Sequence, residues 1–396
     1  MRQYKILNIP FRIVKENDKV CCFLWKIKIY EKKFNEKNAE NSNQLLKIKQ
    51  LSANNIRIAI QLKGAIGDQL IGCNYIKALY DKISDKNVSI DIFCRPFISD
   101  LFLNNVDFIN SVFPEPSFNE KDENYDLYVR LDRFPNVLKY NEHKIQKSPL
   151  LYKYVLLCQN FKQQNKMYYT GRSEYDSILN IYTLIKGQKR INQMDINSFL
   201  NMDEQFKYNI HLPESTIISD YNLQNKKIIT IHRGVDANRN SNSNKLWPQE
   251  YYNLLISLIK EHFSDYTLVQ LGINEQRCPA MKNIDLNLVG KTSLADVTNI
   301  LKHSVLHIDG EGGMVHIRHA ILGGVSVVIF GPTSKDFYGY SENINISSNA
   351  CPHWCEHINE KWDEGCLITN GEPLCMRSIY PKEVFNKIES YLNERG

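Results

Sequence analysis

No run of about 18 apolar residues occurs anywhere in the 396-residue chain, so the sequence offers no candidate transmembrane helix. The start, MRQYKILNIPFRIVKEND, is interrupted by charge too often to form the apolar core of a secretory signal. Both absences point to the cytoplasm, or to the periphery of the inner membrane. The dinucleotide fingerprint G-x-G-x-x-G is missing: the first strong strand runs into Gly64-x-x-Gly67-Asp68 instead, which disfavours a dinucleotide cofactor. Ten cysteines in a chain of this size do not make a disulfide scaffold. No C₂H₂ spacing followed by a basic helix is present, so nucleic acid is not an expected partner. Formal net charge is small, at +5.

What charge there is lies unevenly. Residues 1–56 hold 12 Lys+Arg against 5 Asp+Glu, a balance of +7, which leaves −2 for the rest. A basic prefix suits an anionic surface, and peripheral membrane contact is the expected form; a solvated tail is the plainer alternative. Within it, YKILNIPFRIVK and VCCFLWKIKIYEKK flank the turn-prone Glu16-Asn17-Asp18, which predicts two short strands in a hairpin. Residues 34–55, rich in Asn, Lys and Glu, read as a linker. The length suits two domains beyond it, with boundaries at 56–222 and 223–396.

Both domains show strand–turn–helix–strand repetition, the pattern of doubly wound α/β sheets. In the first, strands are expected at 57–62, 88–93, 108–113 and 125–129, with helices over 69–82 and near 98–103. Residues 140–222 are the least legible, although 150–159 and 174–185 have helical spacing. In the second, strands are expected at 227–232, 266–271, 304–308 and 325–330, with a polar loop at 233–244 and a helix over 295–302.

The stretch Ile308 to Thr333 organises the second domain. Its turn, Gly310-Glu311-Gly312-Gly313, joins a strand end to a helix start. Free N–H groups and the helix dipole favour phosphate there, and glycines allow close approach. Glu311 and His316 stand at the mouth of the turn. The bare chemistry is a nucleotide or sugar-phosphate site. Asp68 holds the matching place in the first domain. A carboxylate there either caps the helix or takes a proton from a hydroxyl in the cleft.

Glu311-Gly312-Gly313-x-x-His316, a helix, and VSVVIFGPT together resemble the donor-binding segment of glycosyltransferase family 9, the ADP-heptose heptosyltransferases and their relatives. The usual family form is Asp-Ser/Thr-Gly-x-x-His. Here Glu311 stands in the Asp place and Gly312 in the Ser/Thr place, so the donor is read as ADP-heptose-like. The Gly64-x-x-Gly67-Asp68 turn is similar to the family's N-terminal motif, which implies that Asp68 is the catalytic base. Lys245-x-Trp247-Pro248 resembles the segment whose Lys contacts donor phosphate. The family's order makes Gly272 and Glu275 candidates for the nucleotide's base and ribose.

The resemblance spans about residues 56–390. It implies a GT-B fold: two Rossmann-like domains facing a cleft, with acceptor on the first and sugar nucleotide on the second. It implies inverting transfer of a heptose or related sugar to a hydroxyl of a bacterial surface glycan such as lipopolysaccharide core. A protein acceptor, as in relatives that heptosylate autotransporter adhesins, is the alternative within the family. A catalytically silent sugar-nucleotide binder is the alternative outside it. A homo-oligomer is compatible with either.

Cys351-x₃-Cys355-x₁₀-Cys366-x₈-Cys375 places four thiols within 25 residues. In a reducing compartment this points to a structural Zn or Fe rather than disulfides, since four thiolates close the coordination shell.

Overall fold

The computed structural model describes residues 2–6, 9–16, 19–24, 27–33, 55–83, 87–96, 99, 107–170, 174–206, 210, 212–233, 243–351, 354–357, 362–363 and 365–395. For residues 2–33, 174–177 and 357 the description covers the backbone alone. The expected linker at 34–54 and almost all of the expected 98–103 helix and the polar loop after Arg233 lie outside these residues. The chain divides into two units, Met1–Asn55 and Ile56–Gly396. No helix among the described residues is long and apolar enough to cross a membrane.

The first unit is a four-stranded antiparallel meander: β1 (Arg2–Ile6), β2 (Ile9–Glu16), β3 (Lys19–Leu24) and β4 (Ile27–Lys33). The expected hairpin is thus doubled. Ile6 pairs with Ile9, Glu16 with Lys19 and Leu24 with Ile27, so each connection has two residues, the shortest length that closes a hairpin. Each apolar-basic run folds back on itself instead of forming one long strand.

The second unit holds two sheets. The first sheet comprises β5 (Ile56–Leu62), β6 (Val88–Cys94), β7 (Ser111–Pro114), β8 (Leu127–Leu131) and β9 (Pro135–Tyr140), in the order β7-β6-β5-β8-β9. All neighbours are parallel except β8 and β9. The central strand, IRIAIQL, is buried on both faces, as a near-continuous apolar run requires. The Ile66–Ile83 helix lies on it, and Gly72 lets it come close: a Cβ there would meet Leu62.

The second sheet is β10 (Lys227–His232), β11 (Tyr266–Leu271), β12 (Leu286–Asn287), β13 (Ser304–Gly310), β14 (Ser326–Phe330) and β15 (Ile344–Ser347). Its order is β12-β11-β10-β13-β14-β15 and every pair is parallel. The order reverses between β10 and β13. Their carboxyl ends form the crevice where doubly wound sheets bind ligands. These two Rossmann-like domains are the expected GT-B architecture. In the illegible middle, helices run over Pro149–Gln164 and Glu174–Ile185, and short turns carry the chain to the second sheet.

Candidate active site

The Gly64–Asp68 turn follows β5, and the Gly310–His316 turn follows β13. The structure brings the two together. A Cβ on Gly67 would overlap the His316 ring, and one on Gly313 would touch Ile66 at 3.5 Å. Gly67 is therefore a point of close approach between the two turns. Gly64 sits in the left-handed region (φ +87°) with Asp68 directly against it, so glycine is required there.

Asp68 occupies the first turn of the Ile66–Ile83 helix. Its Oδ2 accepts the Ala65 N–H at 3.0 Å, the capping role that the sequence left open. Its Oδ1 accepts from Arg190 Nη2 at 2.8 Å and Nε at 3.3 Å. The Arg190 side chain is 2 % exposed and that of Asp68 32 %. Arg190 also donates to Gln193 Oε1 and the Asp132 carbonyl. Burial acts to raise the Asp68 carboxyl, but Arg190 and Arg133 outweigh it and hold the group well below the ordinary carboxylate range. Asp68 is thus both cap and cleft-facing anion. Arg190 comes from a short turn, Arg190–Asn192, in the stretch that sequence periodicity could not read.

On the opposite side, Gly312 caps the Gly313–Ala320 helix in an extended conformation, and its side-chain-free turn leaves helix N–H groups open to the cleft. Lys245 Nζ bonds Glu311 Oε2, so the two residues expected near donor phosphate hold each other. His316 Nε2 lies 3.9 Å from Glu311 Oε1, and His316 Nδ1 lies 2.6 Å from the Tyr340 hydroxyl. Burial pushes His316 down to about 4, against the upward pull of Glu311 and Asp68. The ring is neutral at pH 7 and acts as a hydrogen-bonding group.

Lys245 is placed by its neighbours. Trp247 is buried and donates Nε1–H to the Ile379 carbonyl at 2.9 Å, which ties the Lys-x-Trp-Pro segment to the turn just before the Pro381–Asn393 helix. The Lys245 carbonyl lies beside Gly310. Gly272, at the end of β11, packs against Cys278, where a Cβ would collide with the sulfur. Its carbonyl accepts the Gly290 N–H at 2.9 Å. Glu275 is exposed on the loop beyond it. These two sit at the carboxyl edge of the same sheet, one strand over from the Lys245–Glu311 pair.

Sequence reading missed three further features: Arg190, Glu356, and a buried chain behind the turn. Glu356 takes the Tyr338 hydroxyl at 2.7 Å, and its N–H bonds the Pro332 carbonyl at 3.2 Å. Burial, reinforced by Glu311, pushes its carboxyl up, against Lys245 and Arg133. The buried chain links His232 Nδ1 to Asp309 Oδ1 (2.9 Å), Asp309 Oδ2 to His307 Nε2 (3.4 Å) and His307 Nδ1 to Thr230 Oγ1 (3.0 Å). Nothing local marks these groups, because their partners are distant in sequence.

The four C-terminal cysteines are free thiols, three buried and Cys355 half-buried. They are neighbours: burial and then Cys351 and Cys366 raise Cys355, and burial with Cys351, Cys355 and Cys366 pushes Cys375 to about 12. Cys366 differs. Burial is outweighed there by hydrogen bonds from the Thr369 hydroxyl and the Leu374, Thr369 and Ile368 backbone, which bring the thiol to about 7. Such bonds to sulfur favour thiolate, the metal-binding form. Among the described residues, however, no three His, Cys, Asp or Glu side chains converge as the ligands of an ion would.

Residues 195–364 match the family model for glycosyltransferase family 9 (heptosyltransferase). No curated protein matches the chain by sequence. Among solved structures, the chain is similar to E. coli ADP-heptose LPS heptosyltransferase II at 14 % identity and a TM-score of 0.53, over 86 % of this chain and 100 % of that one. It is similar to the iron-containing dodecameric glycosyltransferase TibC of enterotoxigenic E. coli at 12 % identity and a TM-score of 0.54, over 96 % of this chain and 84 % of that one. TibC in complex with ADP-D-β-D-heptose matches at 9 % identity and a TM-score of 0.55, over 95 % and 82 %. Residues 195–364 thus match glycosyltransferase family 9, and the two sheets around them have the GT-B fold of these heptosyltransferase structures.

Proposed function

We propose that the protein is an inverting glycosyltransferase that moves a heptose or related sugar from a nucleotide-diphosphate donor, ADP-heptose-like, to an acceptor hydroxyl. The observation that carries this reading is the meeting of the Gly64–Asp68 and Gly312–His316 turns across the cleft. That approach supports a reading in which Asp68 serves the acceptor and the Gly312–Gly313 turn cradles the donor phosphate at one place. Asp68, kept ionised by Arg190, is a weak base. It orients the acceptor hydroxyl and takes its proton late, as bond formation to the sugar C1 makes that proton acidic. Opposite-face attack breaks the C1–phosphate bond and inverts C1. The leaving diphosphate is stabilised by Lys245 and by the N–H groups at Gly312 and Gly313. The diphosphate competes with Glu311 for Lys245, which frees Glu311 and, beside it, His316 to bond sugar hydroxyls.

A surface glycan such as lipopolysaccharide core is the acceptor we favour, with the basic prefix supplying contact at the inner membrane. A protein hydroxyl is the second reading. The similarity to TibC reaches further along this chain, over 96 % against 86 % for heptosyltransferase II. The same similarity supports a homo-oligomer and a structural metal at Cys351, Cys355, Cys366 and Cys375, held once the thiols close together. Elemental analysis of purified protein checks the metal: near one Zn or Fe per chain is expected, lost in Cys366→Ser, and none in either protein refutes it.

Nucleotide release from ADP-, GDP-, UDP- and CDP-sugars tests the activity. Slow release from one donor, abolished by Asp68→Ala with nucleotide affinity kept, is the expected result. Binding of a sugar nucleotide without turnover, even with glycan and protein acceptors supplied, favours a silent binder. Absence of both binding and release overturns the reading of the Gly310–His316 turn.

A further inference from the structure

The order of the second sheet reverses between β10 and β13, and the two residues that face each other across that reversal are His232 and Asp309. Asp309 is 1 % exposed and His232 14 %. An ionised carboxylate only accepts, so His232 Nδ1–H donates to Asp309 Oδ1. His307 Nε2–H donates to the other oxygen, and its Nδ1 then accepts the Thr230 hydroxyl proton. Every atom of the chain behind Asp309 is matched. Burial opposes the charge on Asp309, and His232 and His307 outweigh it. The arrangement holds the His232 ring through Nδ1 and leaves Nε2 as the nitrogen not bonded to Asp309.

His232 ends β10 at the carboxyl edge of the sheet, beside the strand that leads into groups already assigned to phosphate. Asp309 leads directly into Gly310 and Glu311, Glu311 holds Lys245, and Arg233 Nε bonds the Trp247 carbonyl at 2.9 Å in the same segment as Lys245. A buried carboxylate behind Nδ1 orients an imidazole and stabilises positive charge on it. We propose that His232, braced by Asp309, is a phosphate-binding residue of the donor site, donating Nε2–H to the diphosphate. The inference rests on the transferase reading and deepens it. Charge grows on the diphosphate as the C1–O bond breaks, so a donor fixed at this point binds the leaving group more strongly than the intact donor.

The test is calorimetric titration of the full chain with ADP, GDP, UDP and CDP and with the matching nucleosides, for wild type, His232→Gln, His232→Lys and Asp309→Asn. For the nucleotide that wild type binds, His232→Gln is expected to weaken the diphosphate at least about tenfold and to leave the nucleoside unchanged. His232→Lys, which places an ammonium donor beside Asp309, is expected to recover part of the loss, and Asp309→Asn to weaken the diphosphate selectively. Equal weakening of diphosphate and nucleoside, or no weakening, overturns the proposal while leaving the transferase reading intact. Should His232→Gln fail to fold, Asp309→Asn and His232→Lys decide by the same selectivity. Failure of wild type to bind any diphosphate overturns both readings together.

Discussion

Asp68 is asked to do two things that pull in opposite directions. Arg190 favours its anionic form, which suits orientation of a hydroxyl, and by the same interaction makes it a poor proton acceptor. Asp68→Asn keeps the Ala65 hydrogen bond and the fit, but it removes the charge. Turnover should fall by about 10²–10⁴, the usual worth of a positioned base, while nucleotide affinity stays within about twofold. Arg190 is then buried beside a neutral amide, and stability should drop by about 1–3 kcal/mol, read from denaturant midpoints. The pH dependence has two parts of the same sign. Asp68 is lowered, so its contribution is present above the ordinary carboxylate range and is lost as pH falls toward its folded value. His316 is buried and neutral with a value of about 4 against an ordinary 6.5. Between those limits the unfolded chain binds the extra proton, so stability falls as pH drops from 6.5 to about 4, by up to roughly 3 kcal/mol. His316→Gln should flatten that part of a midpoint-versus-pH curve. An unchanged slope would show that the ring is solvated.

At the scale of elements, the junction of the Ile66–Ile83 and Gly313–Ala320 helices decides whether the two turns meet. Gly67→Ala pushes a methyl into the His316 ring, so the helices must separate or His316 must give up Tyr340. Overpacking of this kind costs about 1–3 kcal/mol, and turnover should fall with it because Asp68 and the Gly312–Gly313 turn move apart. Gly365→Ala, with open space around its Cβ position, should change neither by a measurable amount and serves as the control. This junction also shows where the sequence could be read. The strands β5, β6, β10, β11, β13 and β14 were visible because a buried parallel strand needs an unbroken apolar run. The glycines were visible because their chemistry is local. β9 was hidden by its initial Pro135 and its half-polar face, and the strand pairs antiparallel at the edge. Arg190 lies 122 residues from Asp68 and Asp309 lies 77 from His232. Pairings of that span are set by how distant strands and turns pack within each domain, and no short window of sequence contains both members. The cysteine spacing was equally legible, while among the described residues no three ligand side chains converge.

For the whole molecule, charge and chemistry are divided between the two units. Every residue assigned to donor or acceptor, from Gly64 to Glu356, lies in Ile56–Gly396, whereas residues 1–56 carry +7 of a total of +5. A mildly acidic body gains nothing for an anionic nucleotide from a basic segment that supplies no site residue. An anionic lipid surface would attract that segment, at about 1 kcal/mol for each Lys or Arg that reaches it. Deletion of residues 1–55 should therefore leave nucleotide diphosphate affinity within about twofold. It should also abolish co-sedimentation with vesicles rich in anionic lipid. The full chain should lose the same binding between 0.05 and 0.5 M salt, because the Debye length contracts to a few ångströms over that range. Neutral vesicles should retain neither protein. If the deletion costs nucleotide affinity, the meander contributes to the site and the division of labour fails. If vesicle binding survives the deletion, the membrane-facing surface belongs to the second unit, and the exposed part of Ile56–Gly396 is where it must be sought.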